Sequence, residues 1–237
     1  MLQQKVDPDK KRLCVGKKAA AAAEAYVFAR HHMYQTVYFH KTTRAAEVML
    51  KLIFQRYSKI LKEGKDPVPE VPAVIKRALK GEKIALPDYL QLDDYIVTEF
   101  FKACIASEDE TLRDLGQGLI NRKLFKCIDV PDSARDRIDE FSNLVREFLK
   151  GEKVEIDYVL VKDTPADTPY KPYYPDAAKT ATMLYIELPN GKSEEISKSR
   201  EVLKSLTRQY SFMRYYFPEK YRDKIKDIAA GTLFRGA

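Results

Sequence analysis

Two periodicities divide this chain. From Lys17 to Leu61 apolar side chains return every three or four positions, at Val27, Phe28, Val37, Ala45, Val48, Met49, Leu52 and Ile53. The segment opens on the alanine run Ala19–Ala23 and meets no further glycine until Gly64. That pattern predicts one long helix, about 65 Å if straight at ~1.5 Å per residue. Such a length exceeds a small domain, so a kink or a projection into a neighbouring subunit is expected. Pro67, Pro69 and Pro72 mark a linker. Helical spacing resumes over Val71–Lys80, then from Leu86, with Asp88 as the expected cap and Tyr95, Ile96, Phe100, Phe101 and Ile105 as the apolar face. A further helix is expected over Glu108–Asn121, a strand over Leu124–Ile128, and a Ser133-capped helix over Ala134–Lys150, stopped by Gly151.

Beyond Gly151 the period shortens to two. Val154–Lys162 alternates like a strand, and Thr164–Tyr174 is a proline-rich loop. Met183–Leu188 and Glu194–Ile196 flank Pro189-Asn190-Gly191, a hairpin signature. Ser199–Leu206 reads as helix and Gln209–Tyr216 as strand. Pro218 opens a last helix to about Ile228, with Gly231–Ala237 expected to fray. At the other end Leu2–Val6 and Leu13–Val15 flank Asp7-Pro8-Asp9, a second hairpin, whose first strand looks clipped, as if chain ran on upstream. The expected fold is α+β and mainly helical. A long N-terminal helix and helical region (1–150) precede a small C-terminal sheet-and-helix lobe (151–237).

Charge alters this picture at one place. The net +7 is concentrated in residues 1–62, which hold 13 Lys/Arg against 4 Asp/Glu, whereas the other 175 residues hold 29 against 31. A local positive field favours nucleotides, nucleic acid or acidic partners. No apolar run is long enough to span a membrane, and no signal-peptide stretch precedes Lys18. Cys14, Cys104 and Cys127 form no CxxC pair, which suits reduced thiols in a cytoplasmic protein.

The stretch Tyr26–Arg44 carries the chemistry. At ~100° per residue Arg30, Tyr34, Tyr38 and Lys41 share one sector of a helix. Two cations and two phenols suit a phosphorylated sugar: Arg binds phosphate as a fork, Lys as a point charge, and Tyr adds a donor or stacks. A surface pairing of the same side chains is the alternative.

Here the chain resembles a known family. Ala29-Arg30, Val37-Tyr38-Phe39-His40-Lys41, Arg44 and Met49-Leu50 are similar to the "AR…VYxHK" helix of HD-superfamily phosphohydrolases, which include deoxynucleoside triphosphate triphosphohydrolases. Leu92-Asp93-Asp94, Asn121-Arg122-Lys123-Leu124-Phe125-Lys126, Tyr173-Tyr174-Pro175-Asp176 and Arg214-Tyr215-Tyr216-Phe217-Pro218 continue the resemblance in order. It implies that Arg30 contacts substrate phosphate, that Tyr38 packs on the nucleotide sugar, and that Lys41 lies near an effector nucleotide's phosphates. Phe39 stands where nucleotide-hydrolysing relatives tend to have Gln, and Tyr34 where they often have His. Both changes remove polar partners for a nucleotide.

Hydrolysis in that family needs a His, a His-Asp dipeptide and a distal Asp on one divalent metal. This chain has no His-Asp dipeptide. Its histidines, His31, His32 and His40, share one predicted helix, with His31 and His40 about 180° apart. No phosphate-binding glycine loop or GxSxG elbow occurs. The expectation is therefore no catalytic residue, metal or cofactor held by this chain, with the divalent metal on a missing HD half. The favoured role is a non-self-sufficient C-terminal portion of an HD-type nucleotide phosphohydrolase, supplying phosphate and sugar contacts and an oligomer or regulatory surface. The alternatives are a nucleotide-binding or, more weakly, nucleic-acid-binding module, and an oligomerisation element. A homo-oligomer is expected.

Overall fold

The structure is a computed structural model that describes residues 4–7, 12–152, 154–168 and 184–235. Strands β1 (Gln4–Asp7) and β2 (Arg12–Val15) lead into α1 (Ala20–Met33), which widens into a π-helical turn at Tyr34–Tyr38. Helix α2 (Lys41–Lys62) follows, then α3 (Ala73–Leu79), α4 (Leu86–Tyr89), α5 (Asp94–Ile105), α6 (Glu110–Ile120), β3 (Lys126–Asp129) and α7 (Ile138–Lys150). The remainder comprises β4 (Val161–Asp163), β5 (Ala166–Asp167), β6 (Tyr185–Glu187), β7 (Ser193–Glu195), α8 (Ile196–Ser199), α9 (Glu201–Ser205), β8 (Tyr210–Ser211), β9 (Arg214–Phe217) and α10 (Arg222–Gly231). The fold is α+β and mainly helical, as its periodicities predict.

Two compact units share the chain discontinuously: residues 1–40 with 164–212, and residues 41–163 with 213–237. This is not the division expected at residue 150. The chain passes between units three times, and the first passage cuts the expected 17–61 helix.

The cause of that cut is local. Thr36 turns its hydroxyl back onto the His32 carbonyl at 2.8 Å, a bond that competes with the helical ladder. The Phe39 amide reaches Tyr34 O at 2.8 Å, five residues back. Thr36, Val37, Tyr38 and Phe39 are all β-branched or aromatic and weak helix formers. Phe39 is 7% exposed and packs against Tyr210 and Phe212, so burial of one ring fixes where the helix ends.

In the first unit, β1, β2, β6 and β7 form a four-stranded sheet in that order, with β2 and β6 parallel and the other neighbours antiparallel. Gly191 turns β6 into β7 with φ +79°, which L-residues rarely adopt. Ala20, Ala23 and Val27 of α1 share a core with Ile186, Ile196 and Leu203. Strands β5 and β8 pair separately, setting Asp167 opposite Tyr210.

The second unit is built on α2, whose buried positions Ala45, Val48, Met49, Leu52, Ile53, Tyr57 and Ile60 repeat at helical spacing. Helix α6 packs so closely on α5 that a Cβ at Gly116 would stand 2.9 Å from Phe101 O. The sheet β3-β9-β4 is antiparallel throughout. All four residues of central β9 are buried. Alternation directs Tyr216 to the α2 core and Tyr215 and Phe217 to a second core with Phe141, Val145 and Ile225. That second core also holds Leu233, and Thr232 and Leu233 are each 2% exposed. The described part of the segment expected to fray is thus anchored through Leu233.

Several expectations are corrected. Val154–Lys162 is not one strand: Ile156–Tyr158 forms a 3-10 turn and only Val161–Asp163 is extended. Asp88 does not cap α5; Asp93 does, accepting from the Ile96 amide at 2.9 Å, while Asp88 accepts from Arg77. Ser133 lies inside a 3-10 turn preceding α7 and makes no cap. Gln209–Tyr216 is interrupted between β8 and β9, where the chain changes units. The Pro8-Asp9 turn, most of the proline-rich loop and Tyr173-Tyr174-Pro175-Asp176 lie outside the described residues.

Candidate functional site

The four side chains expected on one helical stripe are divided between the two units. Three stay together in the first unit. The Arg30 guanidinium carbon sits 4.5 Å from the centre of the Tyr34 ring, and Tyr34 lies 4.8 Å from Tyr38. Arg30, Tyr34 and Tyr38 thus make a contiguous column at intervals of four, the two tyrosine rings tilted at 46°, with a π-helical turn at its end. π-Turns of this kind recur at functional sites. Tyr38 is 45% exposed. Around Arg30 stand groups that the stripe alone does not reveal: Asp167 Oδ2 at 3.8 Å, Tyr210 opposite Asp167 in the strand pair, and His31 edge-on to Tyr210 at 5.0 Å. Burial, and then the Asp167 charge, push the Tyr210 phenol above its ordinary pKa.

Lys41 belongs to the second unit, where it begins α2. Its ammonium pairs with Asp129 Oδ2 at 2.5 Å, and Asp129 also accepts from the nearly buried Arg214 at 2.6 Å. Burial alone would raise the Asp129 pKa, but the bonds from Lys41 and Arg214 hold it below the usual carboxylate value.

Beside this pair opens a cleft of about 420 Å³, lined by Lys41 and Thr42 of the first turn of α2, by Arg122 and Lys126, and by Arg222 and Lys226 of α10. Five of these six carry positive charge, and no carboxylate lines the cleft. Glu219 offsets part of the charge from outside, 3.4 Å from Lys126 and 3.9 Å from Arg222. Among the described residues Arg122 and Lys226 have no carboxylate partner. The α2 N-terminus adds its own partial positive charge.

Arg122 adopts φ +56°, the left-handed conformation that glycine ordinarily supplies at a helix C-terminus. Around it the Lys123 amide reaches back to Gly118 O at 2.9 Å, closing α6. A left-handed arginine costs the fold about 1–2 kcal/mol, and strain of this kind collects at ligand sites. Arg122 and Lys126 lie in the quoted Asn121–Lys126 motif, and Arg222 and Lys226 are spaced i, i+4 on a helix. What the sequence could not signal is that β3 and α10 face one another.

His31 and His32 lie in α1, His40 follows the π-turn, and among the described residues no three His, Cys, Asp or Glu side chains come close enough to hold an ion. Nor is any described helix long and apolar enough to cross a membrane.

Residues 2–66, from the first hairpin through α2, match the HD associated region family. The chain is 29% identical over 214 residues to the uncharacterized protein YwfO of Bacillus subtilis, covering 90% of this chain and 48% of YwfO. It is 28% identical over 139 residues to the uncharacterized protein MG461 of Mycoplasma genitalium, covering 56% of this chain and 32% of that protein. A phosphohydrolase from Bacteroides thetaiotaomicron shares the fold with a TM-score of 0.70 at 21% identity, over 91% of this chain and 54% of that one. A hypothetical protein from Aquifex aeolicus does so with 0.51 at 18% identity, over 92% of this chain and 47% of that one. The chain spans about half the length of YwfO.

Proposed function

We propose that this chain is the phosphate-recognising and regulatory portion of an HD-type nucleotide phosphohydrolase and does not hydrolyse nucleotides by itself. The observation that carries this reading is the cleft of five cations at the start of α2. A triphosphate offers the density of negative charge that such a cleft is built to meet, through charge-assisted bonds from Arg and Lys and through the helix N-terminus. In this reading Lys41, with Arg122 and Lys126, receives an effector nucleotide's phosphates. Arg30, Tyr34 and Tyr38 contribute contacts to substrate phosphate and sugar.

The surface of α1 supports the claim that the chain acts with other protein. Tyr26, Met33 and Val37, spaced along one side with Ala22 and Ala29, are exposed, Tyr26 to 64% and Val37 to 52%. A helix apolar on both sides is ordinarily covered on both. An HD-bearing segment or a second copy of this chain would cover the exposed side.

The test is isothermal titration of the chain with a deoxynucleoside triphosphate at about 50 and about 200 mM salt, alongside a hydrolysis assay with added manganese. Binding that weakens several-fold at the higher salt and is weakened, down to a residual Arg30-dependent component, in Lys126→Glu supports the reading. Salt-insensitive binding, or none, rejects the phosphate role. Turnover by the chain alone rejects its dependence on another segment.

A further inference from the structure

Among the described residues, four buried side-chain atoms lack a hydrogen-bond partner, and three of them belong to one cluster in the first unit: His31 Nδ1, Asp167 Oδ2 and Tyr210 Oη. The fourth, Tyr221 Oη, belongs to the other unit. Buried polar atoms are almost always satisfied, so three unmet together call for an explanation. Asp167 is the most costly of them, being a carboxylate only 13% exposed whose one ion pair, to Arg30 at 3.8 Å, is too long to be a hydrogen bond. A neutral side chain of the same size would relieve that cost.

We infer that Asp167 is a positioning residue for Arg30, which it holds over the Tyr34 ring as a fixed anion receptor. This rests on the reading that Arg30 receives phosphate. Arg30 touches Tyr34 on its flat face and faces Asp167 through Nη1, so two directions of its fork are constrained. A phosphate that drew Arg30 away would strand a buried carboxylate. That loss exceeds the return from one charge-assisted bond to phosphate. Arg30 therefore stays in place, and the anion comes to it. Asp167 lies about 100 residues beyond the 2–66 segment that matches the HD associated region, so it is a determinant supplied by strand β5.

A structural residue and a positioning residue respond oppositely to replacement, because only the second trades stability for binding. The experiment titrates inorganic tripolyphosphate into the full chain carrying Lys126→Glu and Arg222→Glu, which silence the basic cleft, with and without Asp167→Asn or Arg30→Gln. Thermal midpoints are measured on the same samples. Arg30→Gln should weaken binding at least tenfold; if it does not, the phosphate role of Arg30 fails and this inference with it. Given that loss, Asp167→Asn should weaken binding at least fivefold with the midpoint unchanged or raised. Unchanged or tighter binding in Asp167→Asn would mean that the carboxylate is idle or competes with the anion. A lowered midpoint would mark it as structural. Either result overturns the inference while leaving the role of Arg30 intact.

Discussion

At the scale of single residues, the informative positions are those where local preference is violated. Arg122 holds a backbone conformation suited to glycine while its side chain lines the cationic cleft. Arg122→Gly should relieve strain and stabilise the fold by about 1 kcal/mol, while weakening triphosphate binding. A denaturant midpoint and a titration on one sample check both halves, and a drop in stability would show the arginine to be structural instead. Asp167 follows the same logic in the other unit. Helical spacing grouped Arg30, Tyr34, Tyr38 and Lys41, whereas Lys126 stood in a family-like motif without a role of its own. Asp167 and Tyr210 were illegible because their relation to Arg30 is made by strand pairing across some forty residues, which no local pattern encodes.

Elements obeyed their periodicities where burial agreed with spacing. Helices α2, α5, α6 and α7 were legible, and differ from expectation mainly at their starts. At two of those starts, α5 and α6, an aspartate accepts from a first-turn amide. Asp93 caps α5 alone, whereas Asp109 caps α6 through the Leu112 amide and also takes a forked bond from Arg56, a side chain only 13% exposed. Asp93→Ala should therefore cost about 1 kcal/mol. Asp109→Ala should cost about 3 kcal/mol or more, because it also strips a nearly buried cation of its main partner. Equal costs by urea denaturation would refute the buried-pair account. The same arginine explains the lost strand at Val154–Lys162: Arg56 pairs with Glu155 at 2.5 Å and lies 5.3 Å over the Tyr158 ring. Those contacts hold the segment in a turn despite its alternating, β-branched sequence.

For the whole molecule, ionisation sets how the second unit responds to acid. In Asp66, Asp109 and Asp129, all in the second unit, burial pulls the carboxyl upward, but the bonds from Lys76, from Arg56, and from Lys41 with Arg214 outweigh it and hold each below the usual carboxylate range. A carboxylate whose pKa is depressed on folding adds stability that is complete above the unfolded value and vanishes as pH falls through the folded one. The second unit should therefore keep its stability from neutral pH to about 5 and lose it below about 4. Circular dichroism during acid titration should show that loss, and Asp109→Asn should flatten it. A midpoint that held steady from pH 5 to pH 3 would contradict the assignment.

What the amino-acid order settled by itself was the class of fold, the helical segments of the second unit, the concentration of positive charge before residue 62, and the lack of a His-Asp dipeptide. These are properties of neighbours along a chain, governed by side-chain period and composition. The tertiary structure alone decided that the long helix stops at Phe39, because a ring must be buried against Tyr210 and Phe212. It alone assigned Lys41 to a different compact unit from Arg30, Tyr34 and Tyr38. It also brought Arg222 and Lys226 into one cleft with Arg122. Each of those outcomes is set by contacts between residues remote in sequence, where the free energy of packing and charge pairing outweighs local propensity.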